Sequence, residues 1–173
     1  MEGFAANYYQ DDLSIPSYDI SKNLEPEIIV GNDIFVMEYS SLTDIAKKTG
    51  VSINQDDQAS WFCLTAKNVN YWFISDNEMG KGYLTSIAIS GGERQQACSL
   101  YNDSLRVRIQ GVPLLNTTLK YLSTIFPNIP KNTRFQYCAE TKSFGDFIQM
   151  NCLQYFPENK KVKGVLISQI TSN

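Results

Sequence analysis

Histidine is absent from this 173-residue chain, and that absence removes more chemistry than any other feature of its composition. Ser-His-Asp and Cys-His nucleophiles, imidazole acid–base steps, and histidine-ligated zinc or haem are excluded together. A zinc site built on sulfur fails as well, because the four cysteines form no CxxC pair. No metal and no cofactor is expected. The chain also lacks a large excess of either charge: 15 basic against 18 acidic residues give a formal net charge of −3. No uniformly basic surface is therefore available to a nucleic-acid backbone, and nucleic acid is not expected as a partner. Long apolar runs are missing too, and nothing approaches the roughly 20 residues of a membrane span. What is present is 43% apolar and 19% charged residues, enough for a real core in one ordinary domain or two very small ones.

The cysteines are Cys63, Cys98, Cys138 and Cys152. Cys138 and Cys152 lie symmetrically about Gly145, inside the turn-like stretch Lys142-Ser143-Phe144-Gly145-Asp146 between two strand-like runs, so a hairpin would bring them face to face. That pairing leaves Cys63 for Cys98. Two bridges imply an oxidising compartment, and the expectation is a periplasmic or secreted protein whose export signal has been removed. The alternative is four buried, reduced cysteines in a cytosolic protein. Residues 1–26, with Asp11, Asp12, Pro16 and Pro26 and no sustained period, read as an N-terminal arm or tether.

Internal self-similarity is the most informative pattern. Ser40-Ser41-Leu42-Thr43-Asp44-Ile45-Ala46 carries a serine cap, an acid three residues on and apolar positions 42, 45 and 46, with Gly50 to close a helix. Thr117-Thr118-Leu119-Lys120-Tyr121-Leu122 repeats the cap, with apolar positions 119, 122, 125 and 126 before Pro127. Downstream, Trp61-Phe62-Cys63-Leu64-Thr65-Ala66-Lys67 matches Gln136-Tyr137-Cys138-Ala139-Glu140-Thr141-Lys142. Lys81-Gly82-Tyr83-Leu84-Thr85-Ser86 matches Lys163-Gly164-Val165-Leu166-Ile167-Ser168. Each unit is preceded by an apolar run meeting a glycine, Glu27-Ile28-Ile29-Val30-Gly31 and Arg106-Val107-Arg108-Ile109-Gln110-Gly111. The expected fold is α+β: two tandem αβββ repeats, residues 27–100 and 101–173, forming an antiparallel sheet with helices on one face. In the first repeat, residues 60–66 and 69–75 form a hairpin.

The phrase Gly111-Val112-Pro113-Leu114 with Thr117-Thr118-Leu119 and Leu122, followed by three strands, resembles the unit of the small outer-membrane assembly lipoproteins. Its tandem duplication, with cysteines in each half, resembles the β-lactamase inhibitory protein family, whose two repeats form a concave sheet that grips an enzyme. The sequence departs from a symmetric pattern at Asn77, where Cys152 of the second half would place a cysteine. The resemblance implies a protein-binding inhibitor.

Candidate chemistry is sparse. Asp56-Asp57, Asp76 and Glu78 are the acids a glycosidase would need, but they lie in polar stretches where solvation keeps carboxyl groups ordinary. Asp76-Asn77-Glu78 lacks the spacing and central glycine of a calcium loop. Gly80-Lys81-Gly82 and Ser90-Gly91-Gly92-Glu93 complete no phosphate loop. Asn102-Asp103-Ser104 and Asn116-Thr117-Thr118 match the glycosylation acceptor only as short patterns. Charge is uneven: residues 1–60 hold eleven acids and three bases, residues 91–173 ten bases and five acids. Fields of that size either steer a charged partner or attract each other within the domain.

Strand alternation puts Phe62 and Leu64 with Phe135 and Tyr137 toward the helices, and Trp61, Cys63 and Thr65 on the opposite face. Trp61 is there either as an aromatic anchor for a partner or half-buried under the N-terminal arm. Residues 147–153 alternate in a mixed way that assigns neither face. The candidate partner surface is Trp61, Tyr71, Trp72, Asp76, Glu78 and Met79. The expected function is non-enzymatic: an immunity protein that neutralises a secreted antibacterial toxin by steric occlusion, its partner being that toxin or another enzyme. The alternatives are an envelope assembly or scaffolding protein and, more remotely, a carbohydrate-degrading enzyme.

Overall fold

A computed structural model describes residues 1–10 and 14–173; Asp11 and Asp12 of the acidic first half lie outside the described residues. The first helix begins where its cap predicts. The Ser41 side chain accepts a hydrogen bond from the Asp44 N–H at 3.1 Å, α1 runs over Leu42–Thr49, and Gly50 closes it in the left-handed region at φ 74°. Leu42, Ile45 and Ala46 form its buried stripe. The second start is also capped, by Thr118 accepting from the Tyr121 N–H, but α2 is a single turn, Leu119–Leu122. Irregular turns carry the chain on, and Phe126 N–H still reaches the Leu122 carbonyl.

Sheet dominates the rest. In chain order the strands are β1 Ser17–Asp19, β2 Glu27–Val30, β3 Asp33–Phe35, β4 Asn54–Gln55, β5 Ala59–Ala66, β6 Val69–Asp76, β7 Ser86–Gly91, β8 Ser99–Leu100, β9 Leu105–Arg108, β10 Phe135–Phe144, β11 Phe147–Glu158 and β12 Lys161–Ser172. A nine-stranded sheet has the order β1-β10-β11-β12-β7-β6-β5-β4, with β8 also paired to β5; β3-β2-β9 form a small second sheet. The β5–β6 turn is Lys67-Asn68, both at positive φ, the two-residue geometry that suits a twisted hairpin. The stretch read as an arm lies against this framework: Gly3–Tyr9 form a 3₁₀ helix, and β1 adds in parallel to β10.

The fold is thus α+β and mostly sheet. On one face of the large sheet, Phe62, Leu64, Phe73, Ile87, Ile89, Phe135, Tyr137, Leu153, Tyr155, Val165 and Ile167 join α1, α2 and the small sheet in one core. The buried tyrosines satisfy their hydroxyls, Tyr137 donating to the Pro127 carbonyl and Tyr155 to that of Pro113, each at 2.7 Å. Strand β11 outruns the helix layer. Leu153 faces the core, Ile148, Met150 and Cys152 face the other way, and Phe144 and Phe147 sit at an exposed hairpin tip, which is why the alternation there looked mixed.

Both disulfides are formed, Cys63–Cys98 and Cys138–Cys152, which accords with an oxidising compartment. Cys138 and Cys152 are directly opposed across β10 and β11, 4.1 Å between Cα atoms. Among the described residues, no helix is long and apolar enough to cross a membrane. Bridges separated by 35 and 14 residues restrict the unfolded chain by about 4 and about 3 kcal/mol respectively. Replacing Cys138 and Cys152 together by serine is expected to lower unfolding free energy by about 3 kcal/mol, read from urea titration of the otherwise oxidised protein.

Candidate functional site

The face of the large sheet opposite α1 and α2 is the candidate site. Register fixes its members: Trp61 opposite Ile74, Cys63 opposite Trp72, Ala88 opposite Leu166, Gly164 opposite Ser90, and Cys138 opposite Cys152. Half of this face is covered by the chain's own N-terminal segment. Ala5, Ala59, Cys63, Trp72, Ile74, Ala88 and Cys98 make a second, smaller core, against which Met1, Phe4, Tyr8, Trp61 and Leu166 pack.

Phe4 is the centre of that strap. Its ring lies 6.2 Å from Trp72 and meets Phe156 edge-on at 5.0 Å. Beneath it is Gly164, where an added Cβ would come within 2.4 Å of the ring. Glycine is required here for close approach. The Arg134 guanidinium stacks over Phe156 from the side, 5.8 Å from its centroid, and Arg134 also donates to the Gln10 side chain at 3.1 Å. Asn7 stiffens the 3₁₀ turn by donating to the Phe4 carbonyl.

Two tyrosines tie the strap to an acidic tip. The Tyr8 hydroxyl donates to Asp76 and the Tyr9 hydroxyl to Asp56. Each aspartate also organises its own loop: Asp76 Oδ1 accepts from the Glu78 and Met79 N–H groups, and Asp56 Oδ1 from those of Gln58 and Ala59. Asn77 then joins the loops, its side chain donating to the Asp56 carbonyl. The Tyr9 hydrogen bond holds the Asp56 carboxyl below its ordinary value; partial burial opposes this, and the backbone N–H groups of Ala59 and Gln58 assist. Burial, then the charge of Asp76, pushes the Tyr8 phenol up; burial, then the Asp56 hydrogen bond, does the same to Tyr9.

The six residues expected at a partner surface are separated by this arrangement. Trp72 is 1% exposed because Phe4 covers it. Tyr71 is on the helix side, packed against the main core. Trp61 is half-buried against the smaller core, and its indole Nε1 is buried without a hydrogen-bond partner. Asp76 is engaged as described, whereas Glu78 is exposed and Met79 is 57% exposed. Residue patterns missed the other half of the face. There Ile148 and Ile170 are exposed and flank half-buried Met150, with Leu166 and Phe156 continuing the apolar surface to the strap. The signal was present as the even-numbered apolar positions of residues 148–156, but nothing local said that this parity lacks a helix. Comparison with known protein families, curated proteins and solved structures returned no match.

Gly164→Ala is expected to lift Phe4 from its seat: tryptophan emission shifts to the red and amides of residues 3–10 exchange about tenfold faster, with sheet content unchanged by circular dichroism. An unaltered exchange rate would count against the close seat. The strap is also bounded by pH. The Asp56 contribution is present above its ordinary value of 3.8 and lost as pH falls through the lower folded value. The tyrosine contributions are present below their ordinary value of 10.0 and lost above it, as the unfolded phenols ionise first. Protection of residues 3–10 should therefore be flat between about pH 4 and 10, and Tyr8→Phe should reduce the alkaline loss.

Proposed function

We propose that the chain is a non-enzymatic, protein-binding inhibitor of the periplasm or extracellular space, an immunity protein that blocks a secreted antibacterial toxin by occluding it. The observation that carries this reading is the uncovered apolar half of the sheet face, braced by Cys138–Cys152 and lying beyond a strap that ends at an exposed acidic tip. Apolar anchors beside charged rims are the usual make-up of inhibitor interfaces. The tandem-unit reading is supported by the strand order. Strands β5-β6-β7 and β10-β11-β12 run inward from opposite sides and meet at the β7–β12 pair, and the two lead-in strands β2 and β9 pair with each other. That arrangement supports the resemblance to the β-lactamase inhibitory protein family.

In this reading the apolar face covers the toxin's cleft, and Asp57 with Glu78 draws in a basic rim. Affinity capture with the oxidised protein, followed by mass spectrometry, tests it: a stoichiometric partner with hydrolytic or nuclease activity, silenced on binding, is the expected result. Recovery of resident membrane-assembly components instead would favour the scaffolding role. With the captured partner, Asp57→Lys combined with Glu78→Lys is expected to slow association about tenfold at low salt and leave dissociation unchanged. Ile148→Asp combined with Ile170→Asp should act on dissociation instead.

A further inference from the structure

A buried polar cluster lies on the helix side of β11 and β12, beyond the apolar core. Asn151 faces Gln169 directly and Gln149 faces Thr171, so all four share one patch of the sheet. Gln149, Asn151 and Gln169 are 9%, 0% and 1% exposed, yet each leaves its side-chain amide oxygen without a hydrogen-bond partner. Buried acceptors left unpaired cost stability unless something supplies positive charge or a proton. For Gln169 an amide flip is no remedy, since its Nε2 already donates to the Met37 carbonyl at 3.3 Å and to Glu38 at 3.0 Å. Asn151 Nδ2 donates to the Thr141 hydroxyl.

Glu38 brings the charge. Its carboxylate accepts from Gln169, from the Thr171 hydroxyl at 2.8 Å and from the Thr171 N–H at 3.0 Å, all neutral donors. Among the described residues it has no ion-pair partner. Lys142, opposite Gln149, is the nearest cation by register and lies 4.0 Å from Glu25. No three His, Cys, Asp or Glu side chains gather among the described residues; the unpaired acceptors here are three amide oxygens on one patch of the sheet, one of them on the side chain that also donates to Glu38.

We propose that this cluster binds calcium. Calcium takes six to eight oxygen ligands, carboxylate and amide carbonyl included, in flexible geometry, whereas magnesium demands a tight octahedron and keeps its waters. Glu38 and the oxygens of Gln149, Asn151 and Gln169 are the ligands, with the Thr141 and Thr171 hydroxyls in support. A single negative charge places affinity in the roughly 0.1–1 mM range of extracellular modules, the class of compartment that the disulfides also indicate.

The test is titration of the full, disulfide-intact chain with calcium chloride at constant ionic strength, followed by amide NMR shifts. Saturable shifts confined to Glu38, 149–151 and 169–171, absent with magnesium or sodium chloride and abolished by Glu38→Gln, support the site. Gln149→Leu, which changes one ligand and no charge, should weaken binding at least about threefold and serves where Glu38→Gln fails to fold. For a 1 mM site, 10 mM calcium should lower the unfolding equilibrium constant about tenfold. The proposal is overturned by no saturable shift up to about 10 mM, by equal shifts with magnesium or sodium, by shifts centred on Asp56, Asp57, Asp76 and Glu78, or by unaltered binding in the variants.

Discussion

The pairing of β7 with β12 is the constraint on which the rest depends. Five opposed positions, from Gly164 against Ser90 to Ser168 against Ser86, are where the two halves of the large sheet join. In this register Val165 and Ile167 lie beside Ile89 and Ile87 under the helices, and Gly164 and Leu166 lie beside Ser90 and Ala88 on the opposite face. A slip of one residue would exchange the faces, burying the glycine in the main core and setting Val165 under Phe4, where no side chain fits. The small residues of β7, Ser86, Ala88 and Ser90, and the bulky Ile87 and Ile89 between them, specify the same answer from the other strand.

What was legible in the sequence was local. Ser41 and Gly50 delimit α1 because a cap and a left-handed stop are chemistry within one or two turns. Symmetry about Gly145 pairs Cys138 with Cys152; the turn is Gly145-Asp146, and the irregularity at Thr141 is what brings the two cysteines into register. The strand faces of Phe62, Leu64, Phe135 and Tyr137 followed from alternation. The candidate site was less legible, since its shape comes from contacts distant in the chain. Trp72 reads as a surface aromatic until Phe4, 68 positions earlier, is laid over it. Gly164 reads as part of a repeated phrase, and the reason for its missing side chain is a ring 160 residues away. Gln149, Asn151 and Gln169 carry no motif, and only register and burial reveal them as a group.

Both disulfides lie on the face away from α1 and α2. Cys63–Cys98 is under the strap and Cys138–Cys152 is in the uncovered half. The core side is held by dense aromatic packing, including Phe126 stacked on Tyr137 at 4.3 Å and Phe62 on Phe73 at 5.1 Å. The opposite side has less apolar material, and covalent bonds fix its strand registers where packing alone is thin. An apolar surface can then stay partly exposed on Ile148 and Ile170 without the strands behind it shifting.

The seat of Phe4 also sets an order of events. During synthesis the strap is the first part of the described chain to emerge, yet its socket needs Trp72, Phe156 and Gly164, the last of them on the final strand. The socket is complete only once β12 has paired with β7, although Trp72 and the aspartates that hold Tyr8 and Tyr9 come earlier in the chain. A fully seated Phe4 is therefore a report that the two halves of the large sheet have joined.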